Sequence, residues 1–160
     1  MIKHIKCDIF ESGADIICHQ VNCQGVMGSG VAKTVRERYP EVYNKYLDFC
    51  KHADGMPKRL LGMVQPCSIS KNNNEFYPII TNLFAQENFG YNGKCYTDYG
   101  ALRKCLEAVE EASDKNTIVA FPYLMGCHRG GGDWNIVYKM IEEVFADSDC
   151  EVLICEYNGG

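Results

Sequence analysis

The sequence predicts an α/β fold, and two observations carry that expectation. Short apolar runs rich in β-branched residues alternate along the chain with segments of helical period, which is how strands joined through helices read. One of these runs, Ile118-Val119-Ala120-Phe121, is apolar without alternation, as a strand covered on both faces must be.

Taken in order, Ile2 to Ile9 and Asp15 to Val21 read as strands. Gly30 to Arg38 reads as a helix that Tyr39-Pro40 ends, and Glu41 to His52 as a second helix that Pro40 opens. After the Asp54-Gly55-Met56-Pro57 turn, Leu61 to Ile69 and Phe76 to Leu83 form an expected hairpin around the polar loop Ser70-Lys71-Asn72-Asn73-Asn74. Asp98 to Ala112 carries Leu102, Cys105, Leu106 and Val109 on one helical face. Thr117 to Pro122 is the buried strand, and Asp133 to Phe145 a helix with Ile136, Val137, Met140, Ile141, Val144 and Phe145 toward the core. Glu151 to Tyr157 closes the pattern as a strand before an Asn158-Gly159-Gly160 tail that is expected to fray.

The 160 residues are 46% hydrophobic and 23% charged, the profile of one domain with a real core. No stretch approaches the roughly 20 apolar residues of a membrane span, and the polar start Met1-Ile2-Lys3-His4 is no signal peptide. A cytoplasmic, monomeric protein is expected, with no membrane partner. The ten cysteines fit that setting as reduced thiols, because several sit inside apolar runs and none forms a C-x-x-C pair. Cys18, His19, Cys23, Cys127 and His128 lack the tight spacing of zinc ligands, so no metal or cofactor is expected. A net charge of −5 argues against duplex nucleic acid as a partner.

An anionic ligand would therefore have to be held by local groups, and two loops offer them. Val21-Asn22-Cys23-Gln24-Gly25-Val26-Met27-Gly28-Ser29-Gly30-Val31 places glycines between a strand and a helix, where first-turn N–H groups can donate to phosphate. The spacing weakens a P-loop reading, because Val31-Ala32 separates Gly30 from Lys33-Thr34, and a dinucleotide reading, because Gly25, Gly28 and Gly30 reverse its spacing. A nicotinamide oxidoreductase is the least favoured function class on that ground. The second loop, Gly126-Cys127-His128-Arg129-Gly130-Gly131-Gly132, also lies between a strand and a helix, with Asp133 as its expected N-cap. One such loop can surround a phosphate, and two can enclose a diphosphate.

In these residues the chain resembles the macrodomain family, in particular the branch of ADP-ribose 1″-phosphate phosphatases and terminal ADP-ribose glycohydrolases. The likeness rests on Cys7-Asp8-Ile9-Phe10, on His19-Gln20-Val21-Asn22 leading into Gly28-Ser29-Gly30-Val31-Ala32, and on Pro122 to Cys127 with Gly132-Asp133-Trp134. It implies a three-layer α/β/α macrodomain with a mixed central sheet, and ADP-ribose or ADP-ribose 1″-phosphate as ligand, with ADP-ribosylated macromolecules as a further partner class. By the same resemblance Asp8 accepts from the adenine amino group, Ile9 lines the base pocket and Tyr157 stacks on the base or packs on the sheet. Asn22 would stand beside the distal ribose, and Gly28, Ser29, Gly30, Val31 and Gly126, Cys127, His128, Arg129, Gly130 would supply the phosphate site.

The glycohydrolases of this branch carry a lysine after the central hairpin, and Thr81 to Asn88 has none. His128-Arg129 stands in the region of their second-loop aspartate, which favours phosphate-ester chemistry: Arg129 can pair with phosphate, and His128 can move a proton near neutral pH. The expected mechanism has Asn22 orienting a water and His128 protonating the leaving sugar oxygen. His19 stands as the rival acid–base group or as a hydrogen-bonded core histidine. A non-catalytic ADP-ribose reader is the alternative function.

Overall fold

A computed structural model describes residues 1–70 and 76–157. The expected hairpin loop past Ser70 and the Asn158-Gly159-Gly160 tail lie outside the described residues. Within them the chain runs β1 (Ile2–Lys6), β2 (Ile16–Asn22), α1 (Gly30–Arg38), α2 (Pro40–Lys51), β3 (Val64–Cys67), β4 (Ile79–Gln86), α3 (Tyr99–Glu111), β5 (Ile118–Pro122), α4 (Trp134–Val144) and β6 (Glu151–Glu156). The strands form one sheet in the order β1-β6-β5-β2-β4-β3. Every pairing is parallel except the antiparallel β3–β4 hairpin, so the sheet is mixed.

Alternation along each strand sends side chains to two apolar layers. Ile17, Val21, Ile80 and Phe84 pack with Val35 of α1 and with Val42 and Tyr46 of α2. On the other face Cys18, Leu83, Val119, Phe121, Val152 and Ile154 pack with Leu102 and Leu106 of α3 and with Val137 and Ile141 of α4. Both faces being covered explains the unbroken apolar run in β5. The expected α/β/α layering and mixed sheet are therefore present.

Several boundaries differ from the sequence expectation. β1 ends at Lys6, not Ile9, because the Asp8 carboxylate accepts from Phe10 N at 2.9 Å and caps a short 3-10 turn, Ile9–Glu11. That local bond competes with the strand ladder and turns the chain back toward β2. β4 starts later than Phe76 and runs past Leu83 to Gln86, with Phe84 and Ala85 both buried. Ile136, expected on the core side of α4, is 45% exposed.

The helix starts differ in a way that bears on function. Asp98 and Asp133 cap α3 and α4 by accepting from Ala101 N and Asn135 N. At the start of α1, Ser29 makes no such bond, and among the described residues no side chain satisfies its first-turn amides.

Candidate functional site

β2 and β5 are neighbours in the sheet, yet the chain leaves β2 into α1 on one face and leaves β5 toward α4 on the opposite face. A crevice opens where parallel strands part in this way, outside their carboxyl ends. A cavity of 440 Å³ occupies it. Asn22, Gly28, Ser29, Gly30, Val31, Gly126, His128, Arg129 and Gly130 line it, so the two glycine loops do face one another across a single cleft. Asp8, Ile9, Cys127 and Tyr157 are not among its lining residues.

The first loop is organised by Asn22. Register slips between Val21 and Asn22, so Asn22 stands opposite Gln86, both at the cleft floor. Its Oδ1 accepts from Gln24 N at 3.0 Å, Val26 N at 3.4 Å and Tyr46 Oη at 2.9 Å, and its Nδ2 donates to Val26 O at 2.8 Å. The one Tyr46 proton is shared between Asn22 Oδ1 and Asn22 O, the latter at 2.7 Å, and burial raises its pKa so that the phenol keeps it. The expected water-orienting oxygen is therefore committed to the loop, and one Nδ2–H is what Asn22 has left to offer. Among the described residues the amides of Gly28, Ser29, Gly30 and Val31 have no acceptor; the first α1 bond is Lys33 N to Ser29 O.

The second loop is stitched down from beneath. Gly126 O accepts from Thr97 Oγ1 at 2.7 Å and from Gly132 N at 2.8 Å, while Gly130 O accepts from Tyr96 N at 2.7 Å and Thr97 N at 2.9 Å. Thr97 in turn accepts from Gln20 Nε2 at 2.9 Å, and Gln20 also donates to Gln86 at 2.8 Å. The packing is close enough that a Cβ on Gly130 would lie 2.5 Å from Gly126 O, and Gly126 itself has φ +76°. Leu124, on the cleft wall, holds a left-handed φ of 63°, a strained conformation that the surrounding structure must enforce.

Within this loop the amides of Gly126, His128, Arg129 and Gly130 have no acceptor among the described residues. Cys127 departs from its expected role: its amide bonds to Leu124 O at 2.9 Å and its thiol, packed on the α3/α4 side, is pushed up to about 11 by burial. Burial likewise raises the pKa of Cys18, Cys23, Cys50, Cys67, Cys105 and Cys155, which keeps these thiols protonated and unreactive. All ten cysteines are free, and among the described residues no group of His, Cys, Asp or Glu is gathered to hold a metal ion.

His19 forms part of the cleft floor although it is 1% exposed. Asn82 spends its Nδ2 on Gln65 Oε1 at 3.0 Å, so its Oδ1 accepts, and His19 Nε2 donates to it at 2.5 Å. Nδ1 is then a bare lone pair, and it has no partner among the described residues. Burial lowers this histidine to about 4, which holds it neutral at physiological pH. The hydrogen-bonded core reading of His19 thus holds, with an unused acceptor beside the cleft. His128, on the opposite lip, is exposed and its ring makes no hydrogen bond among the described residues.

A third wall went unforeseen. Gln86 at the end of β4 and Phe89, Gly90 and Tyr91 after it line the cleft, as do Pro122 to Met125. Aromatic side chains in an otherwise polar loop were the one sequence signal for the first of these.

Toward β1 and β6, Asp8 Oδ2 stands 3.5 Å from Arg38 Nη1, Ile9 is buried and Tyr157 is 69% exposed.

No family model matches the chain. An ADP-ribose 1″-phosphate phosphatase of Debaryomyces hansenii is 39% identical over 84 residues, which are 47% of this chain and 46% of that protein. A DNA ADP-ribosyl glycohydrolase of Mycobacterium tuberculosis is 26% identical over 162 residues, 100% of this chain and 43% of that protein. Matches of this kind span about half the length of the curated relatives. Among solved structures, the macrodomain of Mycobacterium tuberculosis DarG superposes with a TM-score of 0.77 at 23% identity, covering 100% of this chain and 99% of that one. Thermosipho africanus DarTG in complex with ADP-ribose gives 0.78 at 21% identity, over 97% of this chain and 41% of that one.

Proposed function

We propose, from the premise that this chain has the macrodomain fold, that its cleft binds ADP-ribose and hydrolyses ADP-ribose 1″-phosphate or a related ADP-ribosyl derivative. The observation that carries this reading is the pair of facing loops whose amides lack acceptors, one of them the uncapped start of α1. Two opposed sets of N–H groups in a cleft suit a diphosphate, and they suit it without basic side chains in a protein of net charge −5.

In this reading the diphosphate lies between Gly28–Val31 and Gly126–Gly130. The base points toward β1 and β6, where the Asp8 carboxylate keeps acceptor capacity beyond its bond to Phe10 N, with Ile9 and Tyr157 nearby in the fold. The remaining Nδ2–H of Asn22 donates to a hydroxyl of the distal ribose. Water adds to the terminal phosphorus, the P–O bond to the sugar breaks, His128 protonates the departing oxygen, and the loop amides stabilise the charge on phosphorus. The water's hydrogens stay with the phosphate product, because His19 is buried and held neutral and so is no base here. We read the chain as one domain that works as a monomer in the cytoplasm.

A specific observation favours a second reading, a reader of ADP-ribose without catalysis: the Asn22 oxygen is spent on its own loop. Calorimetric titration and a phosphate-release assay decide between them. ADP-ribose is expected to bind and AMP to bind much more weakly, with phosphate released from ADP-ribose 1″-phosphate by the parent and not by His128→Ala. Binding without release establishes the reader; no binding of ADP-ribose sinks both.

A further inference from the structure

We infer that Tyr91 is a specificity-determining residue of the cleft, because its ring holds the Arg129 guanidinium on the β4 side of the cleft, where a phosphate on the distal ribose would be read. The inference rests on the proposed ADP-ribose reading and adds to it a residue outside both glycine loops.

Arg129 Cζ lies 4.0 Å from the centroid of the Tyr91 ring. Arg38, Arg59 and Arg103 all pair with carboxylates, whereas Arg129 makes no ion pair among the described residues. A stacked guanidinium is fixed in plane by the ring face while its N–H edges stay open to an anion. An unsupported arginine on a glycine loop would have to give up that freedom on binding. Tyr91 removes this cost beforehand, which is what positioning means here.

The ring is 67% exposed, and it is the loop carrying it that is tied down. Gln86 and Thr97 are bridged, so the 86–97 loop is closed at its base, and Tyr96 Oη donates to Asn92 Oδ1 at 2.9 Å within it. Thr97 also binds the second glycine loop, which carries Arg129. The two partners of the stack are therefore tied to one another through Thr97.

Sheet order locates the stack. Asp8 and Tyr157 belong to the β1/β6 side, while Tyr91 follows β4 on the far side of β2. With the base on the first side and the diphosphate between, the distal ribose and whatever it bears point at Tyr91 and Arg129, both of which line the cleft. A cationic edge there favours a charged terminal phosphate over a neutral hydroxyl.

The test compares affinity for ADP-ribose with affinity for a methylene-phosphonate analogue of ADP-ribose 1″-phosphate, which has no cleavable P–O bond. The parent is expected to prefer the phosphonate by about tenfold, the scale of one charge-assisted contact between a guanidinium and a phosphonate. Tyr91→Leu should bring that ratio close to one, Tyr91→Phe should keep it within about twofold, and Arg129→Ala should abolish it in the parent but change nothing further in Tyr91→Leu. An unchanged ratio in Tyr91→Leu, or a Tyr91→Phe variant as impaired as the leucine, overturns the inference while ADP-ribose binding keeps the cleft reading intact. Loss of ADP-ribose binding in the parent itself would overturn both together.

Discussion

His19 is sealed in the floor of the cleft with Nε2 given to Asn82, and a chain of amides continues through Gln65 to the carbonyl of Lys45 in α2. Because nothing carboxylate-like is in that chain, the fold resists the imidazolium form, and burial carries the pKa down from 6.5 to about 4. Above pH 6.5 both folded and unfolded states hold a neutral ring and the stability is whole. As pH falls from there toward 4, the unfolded chain takes up a proton that the folded one refuses, so stability drains by roughly 3 kcal/mol across that window. Urea unfolding at pH 7, about 5.5 and about 4.5 is expected to record that decline in the parent and a flatter curve in His19→Asn. A parent curve flat over the same range would mean that the ring is not held neutral. Asn22 is a parallel case at this scale: the oxygen of a residue type suited to orienting water is occupied in shaping its own loop, and only one amide hydrogen stays free among the described residues.

The two glycine loops differ as elements although they read alike. The first is held from within by Asn22 and from behind by Tyr46, while the second hangs on Thr97 and Gln20 from other strands and loops. Glycine is consequently required for different reasons. At Gly130 a Cβ would stand 2.5 Å from both Gly126 O and Thr97 Oγ1, whereas at Gly28 its nearest neighbour would be Val26 Cγ1 at an ordinary 3.6 Å. Gly130→Ala is expected to lose about 1–3 kcal/mol of stability and at least about tenfold in ADP-ribose affinity, since the loop must shift to admit the methyl. Gly28→Ala should change stability by less than about 1 kcal/mol. Thermal unfolding and titration of the two variants side by side check the contrast, which fails if both behave alike. The short turn after β1 belongs here too, because the Asp8 cap rather than strand length decides where that element stops.

For the molecule as a whole, a net charge of −5 and a cleft lined by main-chain donors imply recognition without a broad positive field. Affinity for ADP-ribose should then change by less than about threefold between roughly 20 and 200 mM salt, in contrast to ligands held by many cationic contacts. Calorimetry across that range tests this. A weakening of about tenfold or more would show that lysine or arginine side chains carry the diphosphate. The mixed sheet supplies the rest of the arrangement: β2 and β5 send their chains to opposite faces, and the cleft is the consequence of that divergence.

The amino-acid sequence by itself determined the order and kind of the elements, the apolar faces of α3 and α4, the hairpin, and the placement of glycine loops after β2 and β5. Each of these is written in periodicity or turn chemistry within a dozen or so neighbouring residues, where local sterics and hydrogen bonding act. Only the tertiary structure decided that the 86–91 segment walls the cleft, that Gln20 and Thr97 hold the second loop, that Cys127 faces away, and that the Asn22 oxygen is taken. Those outcomes depend on partners far apart in the chain, Gln20 with Thr97 or Asn22 with Tyr46, and such contacts leave no periodic trace along the sequence because the sheet brings them together.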